Sequence, residues 1–161
     1  MNEENQLREQ LSEFLDSDHA HVRFDQAMAD FPFDFAGKIP AGMAHSAWQL
    51  LEHMRIAQSD IYQFSVSADH VSPKWPEEYW PENSLPPDKE SWANSIKNFK
   101  NDLKRMKNLV TDPTKDLLAK IPQGTGQTIL REALLVMDHN AYHLGQLIDL
   151  RRALGIWPTK K

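Results

Sequence analysis

The sequence predicts an all-α protein, a four-helix bundle folded as one domain over residues 1–161. Three observations carry that expectation. Apolar residues recur at three- and four-residue spacing through four long segments. Those segments are punctuated by capping residues, proline and glycine. The length of 161 residues suits a single domain, and it buries a sizeable core without disulfide or metal staples.

The first segment, residues 3–16, places Leu7, Leu11, Phe14 and Leu15 on one face. Asp18 can cap a second segment running to about Phe31, with Phe24, Ala27, Met28 and Phe31 apolar and Pro32 ending it. Residues 32–43 hold Pro32, Gly37, Pro40 and Gly42 and read as loop. Ser46 and Gln49 then form an S-x-x-Q capping box. The helix it opens carries Ala47, Leu50, Leu51, Met54, Ala57, Ile61 and Phe64 as one stripe, with His53 on its flank and Asp60 just below.

Residues 68–90 differ in kind. Five of the ten prolines fall here, together with Trp75, Tyr79 and Trp80. The stretch reads as a long irregular connection, either a crossover strap with aromatic anchors or a lid facing a substrate. Asp88 or Ser91 caps the third long helix, whose stripe is Trp92, Ile96, Phe99, Leu103, Met106 and Val110. Pro113 stops it, and residues 114–124 read as a short helical turn followed by loop. The last helix is expected from about Gly126 to Leu154, with Gly155 as its C′ residue and Pro158 beyond. Ile129, Ala133, Val136, Met137, Leu144, Leu147 and Ile148 form its buried side. Met43, Met54, Met106 and Met137 read as core filler.

Composition narrows the function. The net charge is -5 with both signs interspersed, which argues against nucleic acid as a partner. There is no cysteine, so disulfides, thiolate metal sites and a cysteine nucleophile are excluded. The polar start MNEENQLREQ is no signal peptide, and no apolar run approaches the ~20 residues that span a bilayer. A cytoplasmic protein without a membrane partner is the expectation. The chain has no phosphate-cradling glycine loop and no nucleophile elbow.

What the sequence does contain is a set of histidines on helix flanks. His139 and His143 stand at i and i+4 on the last helix and point the same way. An H-x-x-x-H pair also arises by chance, as two partly buried histidines satisfied by hydrogen bonds. His53 occupies the same kind of position on another long helix. Three histidine ligands leave positions open to water or substrate, whereas a structural zinc site is normally closed by four protein ligands. The intervening residues Asn140, Ala141 and Tyr142 place no glutamate where a metalloprotease base would stand. Candidate acceptors for the outer N–H groups of the ligating rings are Glu132, Gln146, Asp60 and Gln49. His45 falls about 80° from His53 on a helical projection and reads as a rim residue. His19 and His21 read as exposed, and His70 as a solvated loop residue. Unperturbed imidazoles would make metal binding weaken from roughly pH 6 to 5.

The segments HSAWQLLEHMRIAQSDI, residues 45–61, and DHNAYHLGQL, residues 138–147, resemble the two signatures of the DinB-like superfamily, which includes damage-inducible and YfiT-type proteins. The order and spacing of elements match over nearly the whole chain. The resemblance implies an up-down-down-up four-helix bundle and often a homodimer. It implies one divalent transition metal held by the residues matching His53, His139 and His143, zinc or nickel first, with manganese or iron as alternatives. Related enzymes include thiol transferases working with bacillithiol or mycothiol and a thiol-dependent maleylpyruvate isomerase. The resemblance thus implies a metal-dependent enzyme acting on a small molecule, with a low-molecular-weight thiol as partner. No substrate signature in this chain singles out the thiol-using members. The catalytic residues stay unassigned. The rival readings are a metal-binding or small-ligand-binding module without catalysis, and a metal-free helical interaction protein whose histidines are structural.

Overall fold

The apolar stripes fold as helices. The computed structural model describes residues 3–15 and 20–158. Among the described residues the fold is all-α, without a strand: α1 (Glu3–Leu15), α2 (Phe24–Met28), α3 (Ala47–Val66), α4 (Lys89–Thr111) and α5 (Ile129–Ala153), with 3-10 turns at Phe33–Phe35 and Glu77–Tyr79. Helix α3 packs against both α4 and α5, and α1 lies against the same two helices. No described helix is long and apolar enough to cross a membrane.

The core has two centres. One gathers Phe24 and Met28 of α2, Trp48, Leu51 and Met54 of α3, Phe99 of α4 and Leu147 of α5. The other gathers Leu11, Leu15, Met106, Val110, Ala133 and Val136. Leu103 packs against both. Met54 and Met106 are fully buried, while Met43 and Met137 pack on the core half-buried. Burial of this kind stabilises each large apolar side chain by roughly 1.5–3 kcal/mol.

The capping box at Ser46 forms as its sequence predicts. The Ser46 hydroxyl accepts from the Gln49 N–H at 3.2 Å, and the Gln49 side chain accepts from the Ser46 N–H at 3.1 Å. Both residues also hold the long connection: Ser46 Oγ donates to the Ser84 carbonyl at 2.6 Å, and Gln49 Nε2 donates to the Pro81 carbonyl at 3.2 Å. Asp88 caps α4, accepting from the Ser91 N–H at 2.6 Å. Gly155 sits at φ 69°, and the Ile156 N–H closes on the Arg151 carbonyl at 2.9 Å, ending α5 as the glycine predicts.

Three boundaries differ from the sequence expectation. The second helix is only Phe24–Met28, and Asp18, its expected cap, lies outside the described residues. The chain leaves the helix before Pro32, with Asp30 at φ 50°. Arg151, buried on α5, donates to the Ala27 and Ala29 carbonyls, so its guanidinium takes up the carbonyls at the end of α2. Helix α5 starts at Ile129 and not near Gly126. Residues before it are engaged elsewhere: the Gln127 carbonyl accepts from the Ile121 N–H at 2.8 Å, and Thr128 caps the helix by accepting from the Arg131 N–H at 3.2 Å. Residues 114–124 form turns and no helix, with Leu117 and Ile121 buried as apolar pegs.

Ser46 joins a helix cap to the strap that crosses it. Ser46→Ala is therefore expected to cost about 1–3 kcal/mol, since it removes the cap and leaves the Ser84 carbonyl without its donor. Urea unfolding of the two proteins measures this; a loss below about 0.5 kcal/mol would contradict the double role.

Candidate metal centre

Helix α3 delivers His53 and helix α5 delivers His139 and His143, because each sits at the margin of a stripe that packs one helix on the other. The three rings converge. Each offers one nitrogen, and these nitrogens all lie within 4.8 Å of one another. His53 Nε2 and His139 Nε2 are 3.0 Å apart. Both other ring pairs, His53–His143 and His139–His143, have centroids 4.6 Å apart. His53 and His143 are buried and His139 is half-buried.

Two rings are oriented by acceptors on their far side. His53 Nδ1 lies 3.0 Å from the Tyr79 carbonyl, which can only accept, so Nδ1 carries the proton and Nε2 keeps its lone pair. His143 Nδ1 lies 2.8 Å from Gln146 Oε1, with the same consequence. Gln146 is thus the outer partner that the sequence suggested. Of the other three suggested, Asp60 acts one step further out: it accepts from the Tyr79 hydroxyl at 2.6 Å, while the Tyr79 carbonyl holds His53. Gln49 pins the connection at Pro81. Glu132 meets no ring; it is buried in an ion pair with Arg131 at 2.7 Å.

The connection of residues 68–90 forms a wall of the site. Trp80 stacks on His53 with centroids 3.7 Å apart and planes 5° from parallel. His45 covers the opposite side of Trp80 at 3.9 Å and 16°. His45 is therefore a support for Trp80, in line with its reading as a rim residue. Trp75 lies 6.3 Å from His53, and Tyr142 lies 4.9 Å from His143; both are largely exposed and mark the open rim. His70 is corrected: it is half-buried and bonded to Asp60 at 2.7 Å, because Asp60 on α3 faces the connection. His21 is exposed as expected, and His19 lies outside the described residues.

Burial keeps the rings neutral. Desolvation, then the Coulomb influence of neighbouring histidines, pushes His53 down to about 4 against its hydrogen bond to the Tyr79 carbonyl, and His139 likewise to about 4. His143 is lowered for the same first reason. Among the described residues, no carboxylate and no lysine or arginine acts on the three rings. Three neutral imidazoles aimed at one point suit a divalent transition metal. With protons on the outer nitrogens, the close approach of the His53 and His139 Nε2 atoms sets two lone pairs against each other, an arrangement a shared cation would relieve.

Some partners were hidden from sequence reasoning. The Tyr79 carbonyl is a main-chain group, which no side-chain pattern announces. Trp80 was visible only as one aromatic among several between prolines. A family model described as the DinB superfamily matches residues 16–147, a span that contains all three histidines. No curated protein and no solved structure matches the chain.

Replacing His53, His139 or His143 by alanine is expected to abolish most metal binding, while His45→Ala binds nearly as the parent does; elemental analysis and competition titration read both. Equal loss at His45 would redraw the ligand set. The pH dependence follows from the lowered pKa values. An unfolded histidine, near 6.5, takes up its proton before the buried one does, so the unfolded state binds more protons between pH 6.5 and about 4. Stability of the metal-free protein is thus full above about pH 6.5 and falls toward pH 4, by up to about 1.4 kcal/mol per pH unit for each ring. The weakening of metal binding moves correspondingly below the window of roughly pH 6 to 5 set by free imidazole. Denaturant melts and zinc titrations across pH 7 to 4 check both directions.

Proposed function

The chain belongs to the DinB superfamily, and from that premise we propose that it is a metal-dependent enzyme in which His53, His139 and His143 hold one divalent ion that activates a small molecule. The fold that carries the site is read as an up-down-down-up four-helix bundle built from α1, α3, α4 and α5. The single observation behind the reading is the convergence of three buried, neutral imidazoles from two helices.

When bound, a divalent ion held by three neutral ligands supplies an uncompensated positive charge that acidifies a nearby thiol or water. The chain's own residues set the conditions for that chemistry. Trp80 covers one face of His53 and excludes water from it. The Tyr79 carbonyl and Gln146 fix two rings with their lone pairs inward. Trp75 and Tyr142 leave an approach bordered by aromatic surface. A thiol arriving through that approach would release its proton to solvent. The chain supplies no cysteine to compete with it. Zinc or nickel suits the imidazole set, with manganese or iron as further candidates, and a low-molecular-weight thiol is the preferred partner.

A second reading, a binding module without catalysis, is favoured by one observation: among the described residues, no carboxylate bonds to any of the three rings, so a general base is lacking beside them. The two readings share the site and part on turnover.

Cobalt substitution tests the proposal. Adding cysteine or glutathione to the cobalt protein is expected to produce a sulfur-to-metal charge-transfer band, which His53→Ala lacks. A cobalt spectrum indifferent to both thiols would end the thiol reading. A thiol-responsive spectrum without turnover on a panel of electrophiles would leave the binding module.

A further inference from the structure

The turn that carries the Tyr79 carbonyl has little buried surface of its own to hold it. Residues 74–78 are exposed, and only Tyr79 and Trp80 are half-buried. The turn is closed within itself: the Tyr79 N–H donates to the Pro76 carbonyl at 3.2 Å, and the Glu78 carboxylate accepts from the Lys74 N–H at 2.6 Å. Trp75 packs edge-on against the Tyr79 ring with centroids 5.3 Å apart. A unit this exposed needs a tie to the bundle to stand in one place.

Tyr79 supplies that tie at both of its ends. Its hydroxyl donates to Asp60 Oδ2 at 2.6 Å, and its carbonyl accepts from His53 Nδ1 at 3.0 Å. His53 and Asp60 are seven residues apart on α3, two turns, and so lie along one side of the helix. One residue of the connection thus bridges a carboxylate and a converging imidazole of the same helix. Asp60 divides its oxygens between two partners. Its Oδ1 lies 2.7 Å from His70 Nε2, which must donate because a carboxylate only accepts, and Oδ2 is left to the Tyr79 hydroxyl. The two bonds together orient the carboxylate.

We propose that Asp60 is a positioning residue for the metal centre: by holding the Tyr79 hydroxyl it fixes the Tyr79 carbonyl behind His53, which keeps the His53 proton on Nδ1 and the Nε2 lone pair turned inward. The inference rests on the metal reading above. Asp60 acts through Tyr79 alone, so the docking of the turn and the grip of His53 on the metal form one coupled equilibrium. Such coupling is reciprocal. A metal that fixes the His53 ring also holds the turn, and a turn released from Asp60 loosens the ring. Trp80 is carried by the same turn and stacks on His53, so release uncovers that face of the ring as well.

The test uses zinc, competed against a chromophoric chelator, on the full chain. Direct outer partners of ligating histidines are typically worth ten- to a hundred-fold in metal affinity. Asp60→Leu and Tyr79→Phe each remove the bond one step further out, and each is expected to lose roughly tenfold, the low end of that range. The double variant is expected to lose no more than about twofold beyond Asp60→Leu, because the two residues act through one bond. Nitrogen NMR of the zinc-loaded proteins separates positioning from general loosening. The His53 Nδ1 proton is expected to be protected from exchange in the parent and to lose that protection in both single variants, while the His143 Nδ1 proton, held by Gln146, keeps its own. Zinc is also expected to slow amide exchange at residues 77–80 in the parent, and to slow it less in Tyr79→Phe. Should Asp60→Leu not fold, Tyr79→Phe, which keeps the ring and the main chain, decides alone. Zinc affinity within twofold of the parent in Tyr79→Phe, an unchanged His53 Nδ1 signal there, or loss of the His53 and His143 signals together would overturn the proposal while leaving the metal site standing. A parent protein that takes up no zinc, with His53→Ala indistinguishable from it, would remove the metal reading and this inference together.

Discussion

Three imidazoles can serve one metal only if each is neutral and each turns a lone pair to the same point, and most of the architecture around His53, His139 and His143 answers to that constraint. Neutrality comes from burial between α3 and α5, which holds His53 and His139 at about 4. Direction comes from acceptors placed behind the rings: a main-chain carbonyl for His53 and a side-chain amide for His143. The two demands pull against each other. Burial removes the water that would otherwise satisfy the outer N–H, so every buried ring needs a protein acceptor or carries an unmet donor.

The connection between α3 and α4 matters for this reason. It supplies the Tyr79 carbonyl and the Trp80 ring, so it belongs to the site as much as the helices do. Its own placement is fixed at several points on α3. Ser46 and Gln49 hold its later part at Ser84 and Pro81. Asp60 holds its earlier part through His70 and the Tyr79 hydroxyl. Desolvation and the bond to Asp60 together push the Tyr79 hydroxyl well above its ordinary range, so it remains a donor at any neutral pH. A connection whose regular structure is one 3-10 turn at Glu77–Tyr79 is thereby held to α3 by side chains of that helix and its cap.

How much of this was legible in the sequence depends on the kind of signal. The start of helix α3 was readable to the residue, because Ser46 and Gln49 encode their own hydrogen bonds and the apolar stripe follows at once. The end of α5 was readable through Gly155, whose left-handed backbone suits a residue without a side chain. The start of α5 was not, since residues 127–128 are held by a bridge to residues 120–121 that local periodicity does not encode. The shortness of α2 was hidden for a like reason: Arg151, more than a hundred positions away, takes up carbonyls at its end. The three converging histidines were visible because helical geometry converts spacing into direction. Their outer partners were visible only where they lay on the same helix, as Gln146 does three residues from His143.

The absence of charge around the rings is what gives the site its chemical character. A carboxylate beside an imidazole would raise ligand basicity but would also cancel part of the metal's charge. Among the described residues, the Tyr79 carbonyl and the Gln146 amide stand in those places at His53 and His143 instead. Glu132, two turns along α5 from His139, is kept away by its pair with Arg131. A divalent ion held by His53, His139 and His143 would keep its full charge within an apolar, partly aromatic wall, where Coulomb attraction is stronger than in water. On the proposed reading, the group best suited to the open side would be a small anion or a molecule that becomes one by losing a proton. The exposed rings of Trp75 and Tyr142 favour a partner whose remaining surface is apolar. On the proposed metal reading, a neutral inner set with an aromatic rim would favour a ligand that brings one ionisable atom and little other charge.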